Sequence, residues 1–390
     1  FFFFFLEKEA DPLIRTEAIR SIEDPKPIQE TLEEIATTEE PWPAATAANK
    51  LAEIDSISLN QATVNEAYTT DIPEVASLIY KYLLENDLDE ASRFYESVTN
   101  RWNNQVKEGV LIQSYRGRID SLKPYLLLDN PLGTAAWTAF TESAISDPEL
   151  RPMYKDYANR ALQEGLPALS ILIAQSARDP LLKDLIGKQA LERSLKNFEE
   201  PEFIEAEVEI KKTLREEFNQ QVEEAGRNSS YGTIDWDYVR SLGKKVTLQV
   251  FTGSDNITME LLPEDAPVSV AQIAKLTEDG FFDQTYFHRV VPGFVTQGGG
   301  PRGDGFGSGE DLLRSEFSPL SFGKGVVGLA SAGRDTESCQ FFITHLPTPH
   351  LDGRYTVIGA TRDPIGFLET GAKIDSIRIR RKNQSVERNP

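Results

Sequence analysis

The chain has 390 residues, 39% of them hydrophobic and 26% charged, which is enough for two or three domains with buried cores. No apolar run approaches the roughly 18 to 20 residues of a membrane span, and the single cysteine, Cys339, excludes an intramolecular disulfide and a cysteine-based metal site. The formal charge of −21 repels phosphate backbones, so nucleic acid is not an expected partner.

That charge is uneven. About −18 lies in residues 1–230 and about −3 in the remainder, and the acidic part reads first as a solvated face that maintains solubility. Five phenylalanines open the chain in place of a methionine. This reads as a truncated or processed start, which leaves a signal peptide and the compartment open.

From about residue 11 to 215 the apolar residues recur at helical spacing. Ala44, Ala47, Leu51 and Ile54 form one stripe, Val75, Leu78, Ile79, Tyr82 and Leu83 a second, and Trp137, Phe140 and Ala144 a third. Helix starts are marked by Asp11-Pro12, Asp24-Pro25, Asn130-Pro131, Asp147-Pro148 and Asp179-Pro180. In these pairs the side-chain oxygen can cap free N–H groups, and proline at the first helical position gives up no needed donor. Asp11-Pro-Leu-Ile-Arg15, Asp147-Pro-Glu-Leu-Arg151 and Asp179-Pro-Leu-Leu-Lys183 repeat one phrase, and the richest apolar helices recur at about 30 to 36 residues, as in a solenoid of helix pairs. The pattern resembles HEAT-like repeats; an irregular all-helical domain is the alternative, and Asn103-Asn104 and Asn130 interrupt the rhythm.

Past residue 215 the helical period is lost and Gly, Asn and Ser collect, so an all-α domain over 1–215 is expected to give way to a linker over 216–240. In the remaining part, 241–390, the period becomes two. Val246, Leu248 and Val250 alternate with Thr247 and Gln249, and Ile257, Met259 and Leu261 with Thr258 and Glu260. Further strands are predicted at Tyr286–Val291, Val326–Ala330, Gln340–Thr344, Thr356–Ala360 and Ile374–Arg380, with a helix at Val268–Thr277 begun by Ala266-Pro267. Many short strands with one or two helices imply a closed or sandwiched antiparallel β domain.

The chemistry-bearing stretch is Tyr286-Phe-His-Arg-Val-Val-Pro-Gly-Phe-Val-Thr-Gln-Gly-Gly299, answered by Gly328-Leu-Ala-Ser-Ala-Gly333 and Gln340-Phe-Phe-Ile-Thr344. One guanidinium, amide groups and aromatic rings recur there without a catalytic carboxylate, thiol or metal cluster, an inventory that suits chemistry without bond cleavage. His345 and His350 have a spacing that fits no common metal-ligand pair. Ser308 lacks the strand-turn-helix setting of a hydrolase nucleophile. The Gly298–Gly309 run lacks the Gly-Lys-Ser/Thr of a phosphate loop. Cys339 reads as a small core residue. No metal and no cofactor are expected.

Residues from about 243 to 380 resemble the cyclophilin family of peptidyl-prolyl cis-trans isomerases in its compact bacterial form. The resemblance rests on Phe287-His-Arg-Val-Val-Pro-Gly-Phe-Val-Thr-Gln-Gly-Gly299, Phe317-Ser-Pro319, Gly325-Val-Val-Gly-Leu-Ala-Ser-Ala-Gly333, Ser338-Cys-Gln-Phe-Phe-Ile-Thr344 and Leu351-Asp-Gly-Arg354, in family order and near family spacing. It implies an eight-stranded barrel with two capping helices. It also implies that Arg289 is the catalytic arginine, that Phe294, Val295, Phe342 and Leu351 line a proline pocket, and that Gln297, Ala330, Ser331 and Gln340 hold the peptide backbone. Strand alternation alone does not bring Phe294 and Gln297 to one face.

His350 and Tyr355 stand where cytosolic eukaryotic members carry tryptophan and histidine, Ser331 where asparagine is usual, and Gln272-Ile273 where Asn-Phe is common. The implied function is prolyl isomerisation in protein folding, with proline-containing polypeptides as clients. The helical repeats would recruit them or dock the chain to a protein partner or membrane-associated complex, and a periplasmic or envelope location is preferred over the cytoplasm. The alternative is a non-catalytic proline-peptide-binding scaffold.

Overall fold

The computed structural model describes residues 11–37, 40–200, 203–223, 231, 233–253, 255–309 and 311–380; the opening phenylalanines lie outside them. Two compact units emerge. One comprises residues 1–227 together with 302–306 and 366–371, the other residues 228–301, 307–365 and 372–390.

The first unit is helical, and its starts follow the capping chemistry. Asp11 Oδ1 accepts from the Leu13 amide at 2.9 Å, Asn130 Oδ1 from Leu132 and Gly133 at 3.1 Å, and Asp179 Oδ1 from Leu181 at 2.8 Å, each opening a helix with proline in its first turn. Asp147 caps a 3₁₀ turn, Pro148–Leu150, which runs into the helix Arg151–Glu164. Asp24 differs: Pro25 occupies the cap position of the short 3₁₀ turn Lys26–Ile28, although Asp24 Oδ1 still accepts from the Lys26 amide.

The three apolar stripes lie on the helices Pro41–Leu51, Pro73–Asn86 and Pro131–Ser146, with Ile54 just past the end of the first. The Asn103-Asn104 break is a helix junction. Asn103 ends Leu88–Trp102 in the left-handed conformation at φ 45°, and Asn104 caps Gln105–Ile112 through its side chain.

Two short segments from late in the sequence complete this unit. The Trp42 indole donates to the Leu368 carbonyl at 2.9 Å, Lys107 Nζ pairs with Glu369 at 2.9 Å, and Asn104 Nδ2 donates to the Gly371 carbonyl at 2.9 Å. Arg302 pairs with Asp129 and Asp304, and Phe306 packs against the cluster that holds Trp137, Phe140 and Tyr154. No helix among the described residues is long and apolar enough to cross a membrane.

The second unit is built on a curled antiparallel sheet of eight strands, a half-barrel in the order β10-β1-β2-β8-β6-β7-β5-β4. The strands are β1 Val246–Thr252, β2 Asp255–Leu261, β3 Thr285–Phe287, β4 Arg289–Val291, β5 Val295–Gly298, β6 Val326–Leu329, β7 Phe341–Thr344, β8 Val357–Thr361, β9 Ala372–Ile374 and β10 Ser376–Ile379. In β1 burial alternates residue by residue, as its period-two pattern requires.

Two predicted strands are each divided. Tyr286–Val291 breaks at His288 into β3 and β4, and Ile374–Arg380 breaks at Asp375 into β9 and β10. The first halves pair with one another, Thr285 opposite Ile374 and Phe287 opposite Ala372, while β4 and β10 join the large sheet. The Asp375 amide donates to the Phe251 carbonyl at 2.9 Å, pinning the second break. The helix Pro267–Glu278 appears where Ala266-Pro267 starts it, with Glu316 accepting from the Val268 and Ser269 amides at 3.1 and 2.7 Å. A short helix, Trp236–Ser241, occupies part of the expected linker; Asp235 caps it, a start the Gly- and Asn-rich context hides.

Candidate active site

Register places the key side chains on one face. Arg289 of β4 lies opposite Gln297 of β5, Gln297 opposite Phe342 of β7, and Phe342 opposite Gly328 of β6. Directly opposed residues share a face, so guanidinium, amide and ring project in one row. Val295, two residues from Gln297 on β5, follows the same face.

Phe294 joins this face by another route. Val291-Pro-Gly-Phe294 is a turn closed by the Phe294 amide on the Val291 carbonyl at 2.9 Å, with Gly293 at φ 77°, the left-handed position of a type II turn. Phe294 therefore lies outside the strand alternation, and the His345 amide fixes its carbonyl at 2.9 Å.

The rings form a floor and a wall. Phe342, Val295, Leu351, Val357 and Phe322 make one buried cluster, with Phe294, Ala330 and Tyr355 packed against it. Phe342 stacks on Phe322 at 5.4 Å between centroids and meets Tyr355 edge-on at 5.6 Å. Phe294 stacks on His350 at 5.5 Å. Gly328 makes this packing possible: a Cβ there would lie 2.6 Å from Phe342 Cζ and 2.7 Å from Phe322 Cε1.

Phe322 was not singled out in the sequence. Its amide donates to Asp352 at 2.7 Å and its carbonyl accepts from Thr348 at 2.7 Å, so the Leu351-Asp-Gly-Arg354 motif holds the ring in place. The available signal was Gly328 inside a strand, a mark of close approach by another group.

The polar side is a chain of amides. Gln297 Nε2 donates to Gln340 Oε1 at 3.1 Å, and Gln340 Nε2 donates to the Gly307 carbonyl at 2.9 Å. The Ala330 amide donates to the Gln340 carbonyl at 2.9 Å, and half-buried Ser331 follows it just beyond β6. All eleven residues singled out from the sequence thus lie in this unit. The ring contacts, the row across the strands and the amide chain join ten of them, and Ser331 enters through its place in the chain.

Arg289 is exposed, with its guanidinium carbon 5.7 Å from the Phe294 ring centre. Among the described residues its guanidinium makes no hydrogen bond and no ion pair. Partial desolvation lowers its pKa from the usual guanidinium value, and Tyr355 opposes the shift; arginine starts so high that the group stays charged. The neighbouring His288 imidazole is pushed down to about 4 by burial and by the Arg289 charge, and among the described residues neither ring nitrogen has a hydrogen-bond partner.

His345 is buried, with Nε2 2.8 Å from the Thr296 hydroxyl, whereas His350 is exposed beside Phe294. Among the described residues no group of three or more His, Cys, Asp or Glu side chains could hold a metal. Cys339 is fully buried, as a core residue is expected to be.

The site therefore offers an apolar ring cluster with an uncommitted cation at its edge and an amide track beside it. It presents no nucleophile and, near neutrality, no proton-transfer group within the row.

Residues 247–387 match the family model described as cyclophilin type peptidyl-prolyl cis-trans isomerase/CLD. The chain is 41% identical over 133 residues to the peptidyl-prolyl cis-trans isomerase of Synechococcus elongatus, covering 33% of this chain and 92% of that protein. It is 41% identical over 130 residues to peptidyl-prolyl cis-trans isomerase B of Bacillus subtilis, covering 32% of this chain and 91% of that protein. A solved cyclophilin type isomerase from Cryptosporidium parvum aligns at 26% identity over 35% of this chain and 98% of that one, with a TM-score of 0.33.

Proposed function

Because the chain belongs to the cyclophilin-type peptidyl-prolyl cis-trans isomerase family, we propose that it catalyses rotation about X–Pro bonds, with Arg289 as the catalytic group. The observation that carries this reading is the uncommitted guanidinium in register with Gln297 and Phe342. Rotation about an X–Pro bond is opposed by amide resonance, with a barrier of about 18–20 kcal/mol, and no bond has to break. A proline ring seated against Phe342, Val295, Leu351 and Phe294 brings its nitrogen toward the guanidinium.

An N–H of Arg289 that donates to the prolyl nitrogen draws the lone pair out of conjugation. It therefore stabilises the twisted amide more than either planar form. Gln297, Gln340 and the Ala330–Ser331 backbone hold the flanking peptide, so that rotation takes place on one side of the bond. An acceleration of about five decades requires about 7 kcal/mol of such preference.

The test is the cis-trans exchange rate on an Ala-Pro peptide for the full chain and for Arg289→Ala. The variant should lose about 100- to 1,000-fold in kcat/KM, the range for removing one transition-state donor, with unchanged thermal unfolding. Full retention of rate would sink the catalytic assignment. Peptide affinity without turnover in the native chain would favour a proline-binding scaffold.

The acidic helical unit is read as the recruiting part, with HEAT-like helix pairs presenting a client or docking face. On this reading the native chain accelerates a proline-limited protein refolding more, relative to its rate on a short peptide, than does the single-domain Synechococcus elongatus relative. Equal ratios would remove the recruiting role.

A further inference from the structure

Away from the row of Arg289, Gln297 and Phe342, the second unit has a pocket of about 390 Å³ between the helices Trp236–Ser241 and Pro267–Glu278 and the 311–316 loop. Its floor is the stripe Val268, Ala271, Gln272 and Lys275, spaced i, i+3, i+4 and i+7, which is one face of a helix. Ile234, Tyr238, Val239, Tyr231 and Leu312 line it as well. Gln272 is the position at which the sequence departs from the usual asparagine. None of these residues takes part in the chemistry described above.

The charges around this pocket are unequal in their commitments. Asp235 accepts from the Asp237 and Tyr238 amides, and Glu316 from the Val268 and Ser269 amides, so both carboxylates are occupied as helix caps. Lys275 is exposed and has no ion pair among the described residues. Arg314 lies 4.8 Å from the Tyr231 ring centre and likewise has no carboxylate partner there. Asp311 is the remaining acid of the lining. In a chain of net charge −21, two cations without a carboxylate partner among the described residues, set beside the apolar Val268 and Ala271, stand out.

The volume is at the lower end of the range of about 300–1,000 Å³ for small-molecule sites. We propose that this pocket is a second binding site that takes a small aromatic carboxylate, its ring on Val268 and Ala271 and its carboxylate between Lys275 and Arg314. Arginine's planar fork suits a carboxylate, and Val268 and Ala271 supply apolar burial that the charge alone does not.

Naphthalene-2-carboxylate serves as the probe, titrated calorimetrically into the full chain, with neutral naphthalene-2-carboxamide as its counterpart. The acid should bind at one site and at least tenfold more tightly than the amide. Lys275→Glu and Arg314→Glu should each weaken it about tenfold or more, and Ala271→Trp, which fills the floor, should abolish binding. Prolyl isomerisation by these variants should stay at the native rate, showing that the fold is intact. Should Ala271→Trp fail to fold, the two charge variants, both at exposed or rim positions, decide the matter alone. Absence of saturable binding, equal affinity for acid and amide, or binding unmoved by both charge variants overturns the proposal.

Discussion

At the scale of single residues, the proposed mechanism uses a charge that does not titrate, Arg289, next to a histidine that is kept neutral. Arg289 stays protonated despite its lowered pKa, and His288, pushed down to about 4, is neutral near pH 7. The isomerase rate should therefore be flat between about pH 6 and 8; a bell-shaped profile in a stopped-flow pH series would contradict this mechanism.

The same histidine predicts acid sensitivity. An unfolded-state imidazole protonates near its ordinary pKa of about 6.5, while the folded one resists until about 4. Between those values the unfolded chain binds the extra proton, so stability falls as pH falls through that window. Above it the term vanishes, and below it the loss is constant. The full loss is about 3 kcal/mol, read as the pH dependence of urea unfolding, and His288→Phe should remove most of it.

At the scale of elements, β6 has to carry a glycine where two rings converge. Gly328→Ala would place a methyl 2.6 Å from Phe342 Cζ, so overpacking should cost about 1–3 kcal/mol. Displacement of Phe342 should also raise KM for the Ala-Pro peptide more than it lowers kcat. Unchanged thermal stability and KM would mean that the two rings do not need that space.

This element also shows how far the sequence could be read. The alternation in β1 and β2 and the start at Ala266-Pro267 were legible because each depends on neighbours in the chain. The breaks at His288 and Asp375 were not, because a period of two is blind to the partner of each half-strand. Arg289, Gln297 and Phe342 could be named from the family motifs, but their alignment needs the β4-β5-β7 register. Phe322 went unread because its ring is held by Thr348 and Asp352, far along the chain.

At the scale of the whole molecule, composition separated an acidic helical part from a strand-rich one, yet gave no sign that residues 302–306 and 366–371 would pack into the helical unit. Their ties are long-range. Lys107, 7% exposed, donates to both the Asp71 carbonyl and Glu369, while Thr370 donates to half-buried Glu74 at 2.8 Å. Lys107→Ala leaves a half-enclosed carboxylate and a carbonyl without their donor, and should destabilise the helical unit by about 3 kcal/mol. Its urea midpoint should drop accordingly, and an unchanged midpoint would show that Glu369 rehydrates freely.

The placement of Leu368, buried at 1% exposure with its carbonyl held by Trp42, has a consequence for synthesis on the ribosome. Domains made first ordinarily fold first, as they emerge at about 5–20 residues per second. Here the helical unit is completed by a segment translated more than a hundred residues after its last helix, so the nascent unit lacks the partners of Trp42, Asn104 and Lys107 until that segment is released. The order of translation and the order of completion are thus uncoupled, and a stalled chain ending before residue 366 should be cut by protease within its helices where the released chain is not.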